Sequence, residues 1–499
     1  MWLVPGFSGW GVPLFGAINY WGGIKNVPAA LMEEGYTVIV AQPGPFSSNG
    51  ERACELFSQL TCGKFDAFDS TTQSNDVEVD YSHVLRSTPG VRELRPTNRR
   101  RAILFSKTPN DGTSKAHFIC HSQGGNTVLH LLSSMARKQS PFDGAGDGWA
   151  LSVTTLGTPH RGTTIIDVLE NLFPGSDSTI IRILGRFFAI ASFKEPQERF
   201  YDPQLDHWAI RREGDETFQA MCSRMESEVG PVAGWYRSNC NAFYDNSIKG
   251  MKELHTDTPL SRQTYYFSLS FHSTVPFPSA WPSWTMDAAR AFPIPMLDFL
   301  SDFLDKIPDA GIGRWVLSSI AKAFVDTAGW VIILSHLRIR DIAGWVVGDV
   351  LNRILRETRY PLALPLPGKY LPRKDVLPLM LLTVYAMGSQ DLVDEERRFV
   401  GADAVGAQDW HLNDGVVNTA SMCGPVNCTV DDADGFKVLD MNNDSYRGKF
   451  WHFGVNDRMD HADQIGVFVE ENTASSMMEM YSNLAKLVTR LPGNELLSS

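Results

Sequence analysis

The segment from Ala116 to Arg137 constrains the fold more than any other. A short, largely apolar run from Ala116 to Cys120 passes through His121-Ser122-Gln123-Gly124 straight into a helical pattern from Gly125 to Arg137. This is a strand, a tight turn and a helix with no linker between them. A strand that feeds a helix at once belongs in a sheet whose parallel strands are joined by crossover helices. The alternation extends to both sides. Trp2 to Val4 reads as a strand, Gly6 to Gly11 as a glycine-rich turn, Val27 to Glu34 as a helix, and Tyr36 to Ala41 as a β-branched strand closed by Gln42-Pro43-Gly44. Trp149 to Leu156 reads as a further buried strand ending at Gly157-Thr158-Pro159-His160. The expected class is α/β, with a mostly parallel central sheet and helices on both faces. Polar stretches from Asp66 to Asp80 and from Ser87 to Arg101 read as surface loops.

Two apolar segments stand apart from this alternation. Between Ile165 and Phe193, the residues Ile165, Val168, Leu169, Leu172, Ile180, Ile183, Leu184, Phe187 and Phe188 recur at helical spacing, which suits either core helices or a lid. From Ser279 to Pro361 the chain is richer still, but Lys322 and Asp326 interrupt it, so it lacks the roughly eighteen continuous apolar residues of a spanning helix. It reads as a helical insertion packed on the core, or as amphipathic helices at an interface, where Trp315, Trp330, Trp345, Arg338 and Arg340 would suit. The expected organisation is one domain over 1–499, with a cap or lid region at 165–250 and an apolar helical insertion at 279–361.

Composition narrows the partners. With 43% hydrophobic and 20% charged residues the 499-residue chain has the makings of a large core, which argues against disorder. A formal net charge of -12 disfavours nucleic acid, whose phosphates call for a basic surface. The seven cysteines lack paired C-x-x-C spacing, so no zinc cluster of that kind is expected. Cys423 with Cys428 and Cys222 with Cys240 are near enough in sequence for local disulfides, and Asn427 and Asn443 begin N-x-[ST] sequons, features that matter in a secretory pathway. No charged n-region with an apolar run opens the chain, which is read as either intracellular or lacking its natural start.

The turn at Ser122 suggests chemistry. A neutral serine attacks an ester poorly, so it needs a base within hydrogen-bond reach and a third group to fix the tautomer of that base. Strand, turn and helix are the setting of a nucleophile elbow, although Cys120 stands where G-x-S-x-G has glycine. A polar turn serine would look similar. Asp414 lies in the turn Trp410-His411-Leu412-Asn413-Asp414-Gly415, and His461 follows Asp460 further on. The order Ser, Asp, His is that of α/β-hydrolases, but among 12 histidines and 57 acidic residues order alone does not single these out.

Wider runs do. Phe7-Ser8-Gly9-Trp10-Gly11, Tyr20-Trp21-Gly22-Gly23, Gly44-Pro45-Phe46-Ser47-Ser48-Asn49 with Glu51-Arg52-Ala53-Cys54-Glu55, His121-Ser122-Gln123-Gly124-Gly125, Thr158-Pro159-His160 with Gly162-Thr163-Thr164, Leu205-Asp206-His207-Trp208, and Asn413-Asp414-Gly415-Val416-Val417-Asn418 occur in order along the chain. In these the chain resembles the thermoalkalophilic bacterial lipases of staphylococcal and bacillary type, as a divergent member. The resemblance implies an α/β-hydrolase fold, with Ser122 as nucleophile, Asp414 as acid, His461 as base and an oxyanion hole from the backbone NH groups of Phe7 and Gln123. Such donors are worth about 3 to 4 kcal/mol each in the transition state. Pro5-Gly6-Phe7 replaces the family's His-Gly-Phe, which keeps the Phe7 donor but removes the support of the histidine. The resemblance also implies secretion.

The family's metal sites map incompletely. Asp206 and Glu51 fall on the two acidic positions of its zinc site, but the two histidines would lie near Thr71 and Val77, where none occurs. Zinc without imidazole is poorly held, so Asp206 and Glu51 are read as structural remnants. The calcium site would place carboxylates at Asp463 and Phe468, so calcium is expected only if Asp457 or a backbone carbonyl makes up the shortfall. No cofactor is expected to be required. The expected activity is hydrolysis of acylglycerols or related lipophilic esters at a lipid–water interface. A short-chain carboxylesterase or phospholipase is the alternative, and a non-catalytic, membrane-surface member of the fold ranks behind both.

Overall fold

The computed structural model describes residues 1–61, 115–276 and 370–492, apart from single residues and short runs within those spans. The polar loops at 66–80 and 87–101, the 279–361 insertion, Thr71, Val77, Phe468 and Asn443 lie outside the described residues.

Seven strands form one sheet: β1 (Trp2–Val4), β2 (Ile39–Val40), β3 (Ala116–His121), β4 (Ala150–Leu156), β5 (Tyr265–Phe271), β8 (Val430–Asp432) and β9 (Phe450–Asn456). Their order is β2-β1-β3-β4-β5-β9-β8, and every pairing between neighbours is parallel. A two-stranded antiparallel arm, β6 (Thr274–Pro276) with β7 (Tyr370–Pro372), leaves the sheet after β5. The strand expected over Tyr36 to Ala41 pairs only at Ile39 and Val40. Its flanks instead meet helices: the NH of Tyr36 bonds Leu31 O, and the NH of Gln42 bonds the Gln59 side chain.

Strand side chains alternate between two apolar layers, as the pleat requires. Trp2, Val4, Phe118 and Cys120 point into one core with Phe57, Val128 and Leu132 from α2 (Asn49–Thr61) and α3 (Gln123–Ala136). Leu3 and Ile119 point into the other, with Val27 and Leu31 of α1 (Val27–Glu33) and Met477, Tyr481 and Leu484 of the helix Glu471–Thr489. Helices therefore cover both faces. Asn26 caps α1 by accepting from the NH of Ala29, and Pro28 follows in the first turn, where its missing NH costs nothing.

A third apolar cluster lies outside the sheet. Phe188, Ala189 and Ala191 of α5 (Asp177–Ser192) pack with Met221, Cys222, Trp235, Leu205 and Phe46. The preceding α4 (Ile165–Leu172) packs through Ile165 and Val168 on Ala386 and Met387. Among the described residues, no helix is long and apolar enough to cross a membrane.

The two local disulfides that the spacing allows are not formed. Cys222 packs in the cluster around Trp235, whereas Cys240 packs in the sheet core beside Phe57 and Tyr266, so side chains close in sequence serve different cores. Cys428 Sγ turns to its own turn at Pro425 O, and Cys423 Sγ receives Arg161. Burial pushes the Cys428 thiol up to about 12, which leaves it a poor nucleophile for exchange.

Candidate active site

Ser122 sits between β3 and α3 with φ 55 and ψ −134. A serine in that region stores strain of about 1–3 kcal/mol and persists only where its surroundings hold it. Its NH donates to Leu156 O at 2.8 Å and its carbonyl accepts from Thr158 Oγ1 at 2.8 Å, so β4 clamps the turn from both ends. The turn also requires missing side chains. A Cβ on Gly124 would stand 2.3 Å from Val4 O, and one on Gly125 2.4 Å from Thr158 Oγ1. Cys120 does not enter this crowding, because it points down from the strand into the core with α2 and α3. The strand–turn–helix reading thus corresponds to a strained elbow and not to an ordinary polar turn.

The Pro5-Gly6-Phe7 segment runs against the elbow: a Cβ on Gly6 would lie 2.5 Å from Ser122 Cβ and 3.1 Å from Ser122 Oγ. Two buried side chains brace it. Tyr20 Oη accepts from the Gly6 NH at 2.9 Å. The Arg52 guanidinium donates to the carbonyls of Pro5, Gly6 and Gly44 and to Thr127 Oγ1. Arginine suits this task because one rigid fork serves several acceptors. Sequence reasoning noted the lost histidine at Pro5 but not these braces, which act on Pro5 through its carbonyl. Among the described residues, no acceptor is bonded to the NH of Phe7 or of Gln123. The Phe7 ring packs edge-on against Phe46 and Phe243.

Asp414 and His461 meet at the same carboxyl edge of the sheet. The Asp414 loop docks on the end of β5 through Asn413 O, which accepts from the Ser273 NH at 2.8 Å, and His461 follows β9. His461 Nδ1 and Asp414 Oδ2 are 2.7 Å apart, and the His461 NH donates to Asp414 O at 3.0 Å. The carboxylate can only accept, so Nδ1 carries the proton and Nε2 is left as the basic nitrogen. The other oxygen, Oδ1, accepts from the NH groups of Val416 and Val417. Asp414 is fully buried, Ser122 is 3% exposed and His461 7%.

One neighbour was not anticipated as part of the site. The His121 ring lies 4.4 Å from that of His461, centroid to centroid, and burial, followed by the proximity of His461, drives its pKa well below the usual imidazole value. A neutral His121 leaves the adjoining base free of a competing positive charge.

The positions matching the family's metal sites are already bonded within the protein. Glu51 Oε1 accepts from His207 Nε2 at 3.1 Å and Trp208 Nε1 at 3.2 Å, and Oε2 from the Ser48 NH and hydroxyl. Asp206 Oδ1 accepts from Arg199 at 2.9 Å. His207 is an imidazole beside the site that the sequence reading did not place there. Glu51 Oε1 and Oε2 and Asp206 Oδ1 are thus each held by protein donors. Near His461, Asp463 Oδ2 accepts from the Asp460 NH, and burial together with the Asp460 carboxylate pushes the Asp463 pKa up to about 8. The carbonyls of Asp457 and His272, which could complete an oxygen cage, both receive the Arg373 guanidinium. A fixed cationic side chain therefore stands where calcium would need oxygens, and these residues do not fit it. Among the described residues, no group of three or more His, Cys, Asp or Glu side chains converges to hold a metal.

A wound parallel sheet with a strained serine elbow and a His–Asp pair at its carboxyl edge defines an α/β-hydrolase-type fold. A family model described as "Lipase-like, C-terminal domain" matches residues 1–280. The chain belongs to that family, as a divergent member. It is 25% identical over 291 residues to a lipase of Staphylococcus epidermidis and 27% identical over 290 residues to Lipase 1 of Staphylococcus aureus, in each case over 54% of this chain. The chain spans 38% of the length of these curated relatives. In fold it is similar to Staphylococcus hyicus lipase (TM-score 0.60, 19% identity, 99% of this chain and 96% of that one). It is also similar to EstA from Clostridium botulinum (TM-score 0.57, 20% identity, 98% and 87%).

Proposed function

We propose that this chain hydrolyses carboxylic esters of lipids, acylglycerols above all, through an acyl-enzyme on Ser122. Two observations support the reading: a serine held at φ 55 where β3 turns into α3, and, beyond β9 of the same sheet, a histidine bonded at 2.7 Å to a buried carboxylate. Ser122 Oγ attacks the carbonyl carbon while its proton passes to His461 Nε2. The carbonyl electron pair moves onto oxygen, toward the NH groups of Phe7 and Gln123. As the pair returns, the C–O bond breaks and His461 gives its proton to the departing alcohol. Water then attacks the acyl ester by the same steps, releasing the acid and restoring Ser122. No metal takes part in these steps.

The α4–α5 region serves as a lid. Phe187 and Phe188 of α5 pack on Phe46, which packs on Phe7 at the oxyanion segment. With Ser122 this deeply covered, a substrate enters once α5 moves, and its apolar face suits a lipid surface. Hydrolysis of p-nitrophenyl esters from two to sixteen carbons by the native chain and by Ser122→Ala tests the proposal. Activity on long chains that falls by about four to six orders of magnitude in the variant is expected. A maximum at two to four carbons would favour the short-chain esterase, and equal inertness of both proteins would overturn the reading. A rate that does not rise when substrate passes from monomer to emulsion would remove the lid.

A further inference from the structure

Gln464 lies three residues beyond His461, is fully buried, and takes no part in the steps above. Its Nε2 donates to Asp414 Oδ2 at 2.7 Å, the same oxygen that receives His461 Nδ1. Because the carboxylate only accepts, the amide must turn its NH2 toward Asp414 and its oxygen away. That oxygen is buried with no hydrogen-bond partner among the described residues. A glycine makes room for it: Gly157, at φ 55, ends β4 where a Cβ would come within 2.3 Å of Gln464 Oε1.

We propose that Gln464 is a positioning residue of the hydrolytic site, fixing the carboxylate of Asp414 that orients His461. The proposal rests on the roles assigned above to Ser122, Asp414 and His461. With two donors on Oδ2 and two backbone donors on Oδ1, the carboxylate has one orientation. Removing the amide leaves Oδ2 held by the moving base alone. The imidazole can then swing with its partner during proton transfer, whereas substrate contacts, which lie elsewhere, stay as they are.

The test uses the full chain and p-nitrophenyl octanoate, with Ser122→Ala as the control for the ester reading. Gln464→Met keeps the volume and removes the donor. It is expected to lower kcat about 10- to 100-fold with KM within about twofold of the native value. The low-field proton resonance of His461 Nδ1–H is expected to move to lower field, since Asp414 Oδ2 then shares its charge with one donor instead of two. Gln464→Glu restores a donor only while its carboxyl is protonated, as burial favours. Its kcat should approach that of the native chain at the acid end of the active range and fall toward that of Gln464→Met as pH rises. This variant also serves should the methionine variant not fold. A kcat within about twofold of native with an unmoved resonance, or a lowered Tm with kcat unchanged, overturns the proposal. If the native chain itself is inert on the ester, the ester reading fails, and the resonance alone decides whether Gln464 grips Asp414.

Discussion

Gly6→Ala is the smallest change that should disable the site. A methyl group there would stand 2.5 Å from Ser122 Cβ, 2.8 Å from His121 O and 3.1 Å from Ser122 Oγ. Ordinary carbon contacts lie at about 3.5–4.0 Å, so a gap of roughly 1 Å or more must open. The two nearest, Ser122 Cβ and His121 O, are fixed by the backbone. The elbow is clamped by Leu156 and Thr158, and the Gly6 segment by Tyr20 and Arg52, so the looser piece moves and takes the Phe7 NH with it. A displacement of that size costs about 100-fold in rate, in line with the roughly 100- to 1,000-fold loss of a single oxyanion donor. The overpacking itself should cost about 1–3 kcal/mol of stability. The assay is kcat and KM on p-nitrophenyl octanoate, with Tm by calorimetry. Gly146→Ala is the control, at φ −144 with no atom within 4 Å of the new methyl, and should leave both unchanged. A Gly6→Ala protein retaining kcat within about threefold would refute the claim that this segment is poised at Ser122.

Other predictions concern the braces, the buried histidine and the metal. Arg52→Lys replaces a rigid fork by one ammonium and leaves at least one of the carbonyls at Pro5, Gly6 and Gly44 without its donor. Chemical denaturation should show a loss of about 1–3 kcal/mol. His121 has a folded pKa depressed by burial, so its contribution to stability is full above the unfolded value of about 6.5 and is lost as pH falls below it. Tm should therefore drop on acidification more steeply in the native chain than in His121→Gln, and parallel Tm–pH curves would refute this. Treatment with EDTA should change neither Tm nor kcat, whereas Arg373→Gln, which releases the carbonyls of His272 and Asp457 beside the His461 loop, should lower Tm. A calcium-dependent recovery of the EDTA-treated protein would show that the guanidinium does not stand in for the ion.

What could be read before folding was what is local. The elbow is a strand, a turn and a helix in consecutive residues, so Ala116 to Arg137 declared both a parallel sheet and the place of Ser122. Trp2 to Val4 was legible for a related reason: strands covered on both faces read as apolar runs. Ile39–Val40 was overread because β-branched residues such as Thr37 and Val38 favour extended chain whether or not a partner strand lies beside them. Asp414 and His461 were singled out through resemblance, since no periodicity marks one acid or imidazole among many. Arg52 and Tyr20 were quoted as parts of motifs without a role, and Gln464 was given none, because the role of each exists only across the fold. Arg52 reaches back to Pro5, Tyr20 reaches His121, and Gln464 reaches Asp414.

The same distinction explains why two departures from the family pattern sit where they do. Pro5 has lost the side chain that would support the oxyanion segment, yet the atom that Arg52 grips is the Pro5 carbonyl, which proline retains. The NH that proline lacks is not the donor proposed for the oxyanion, which belongs to Phe7. Cys120 replaces a glycine beside the elbow, but its side chain leaves β3 on the face covered by α2 and α3 and never enters the turn. Burial raises its thiol far above the usual range, so it adds no second nucleophile next to Ser122. The positions that cannot be altered are those whose missing Cβ lets two backbones touch, namely Gly6 against Ser122, Gly124 against Val4 and Gly125 against Thr158. Divergence is tolerated where the site uses a residue's backbone atoms or its volume, and it stops where the site uses the absence of a side chain.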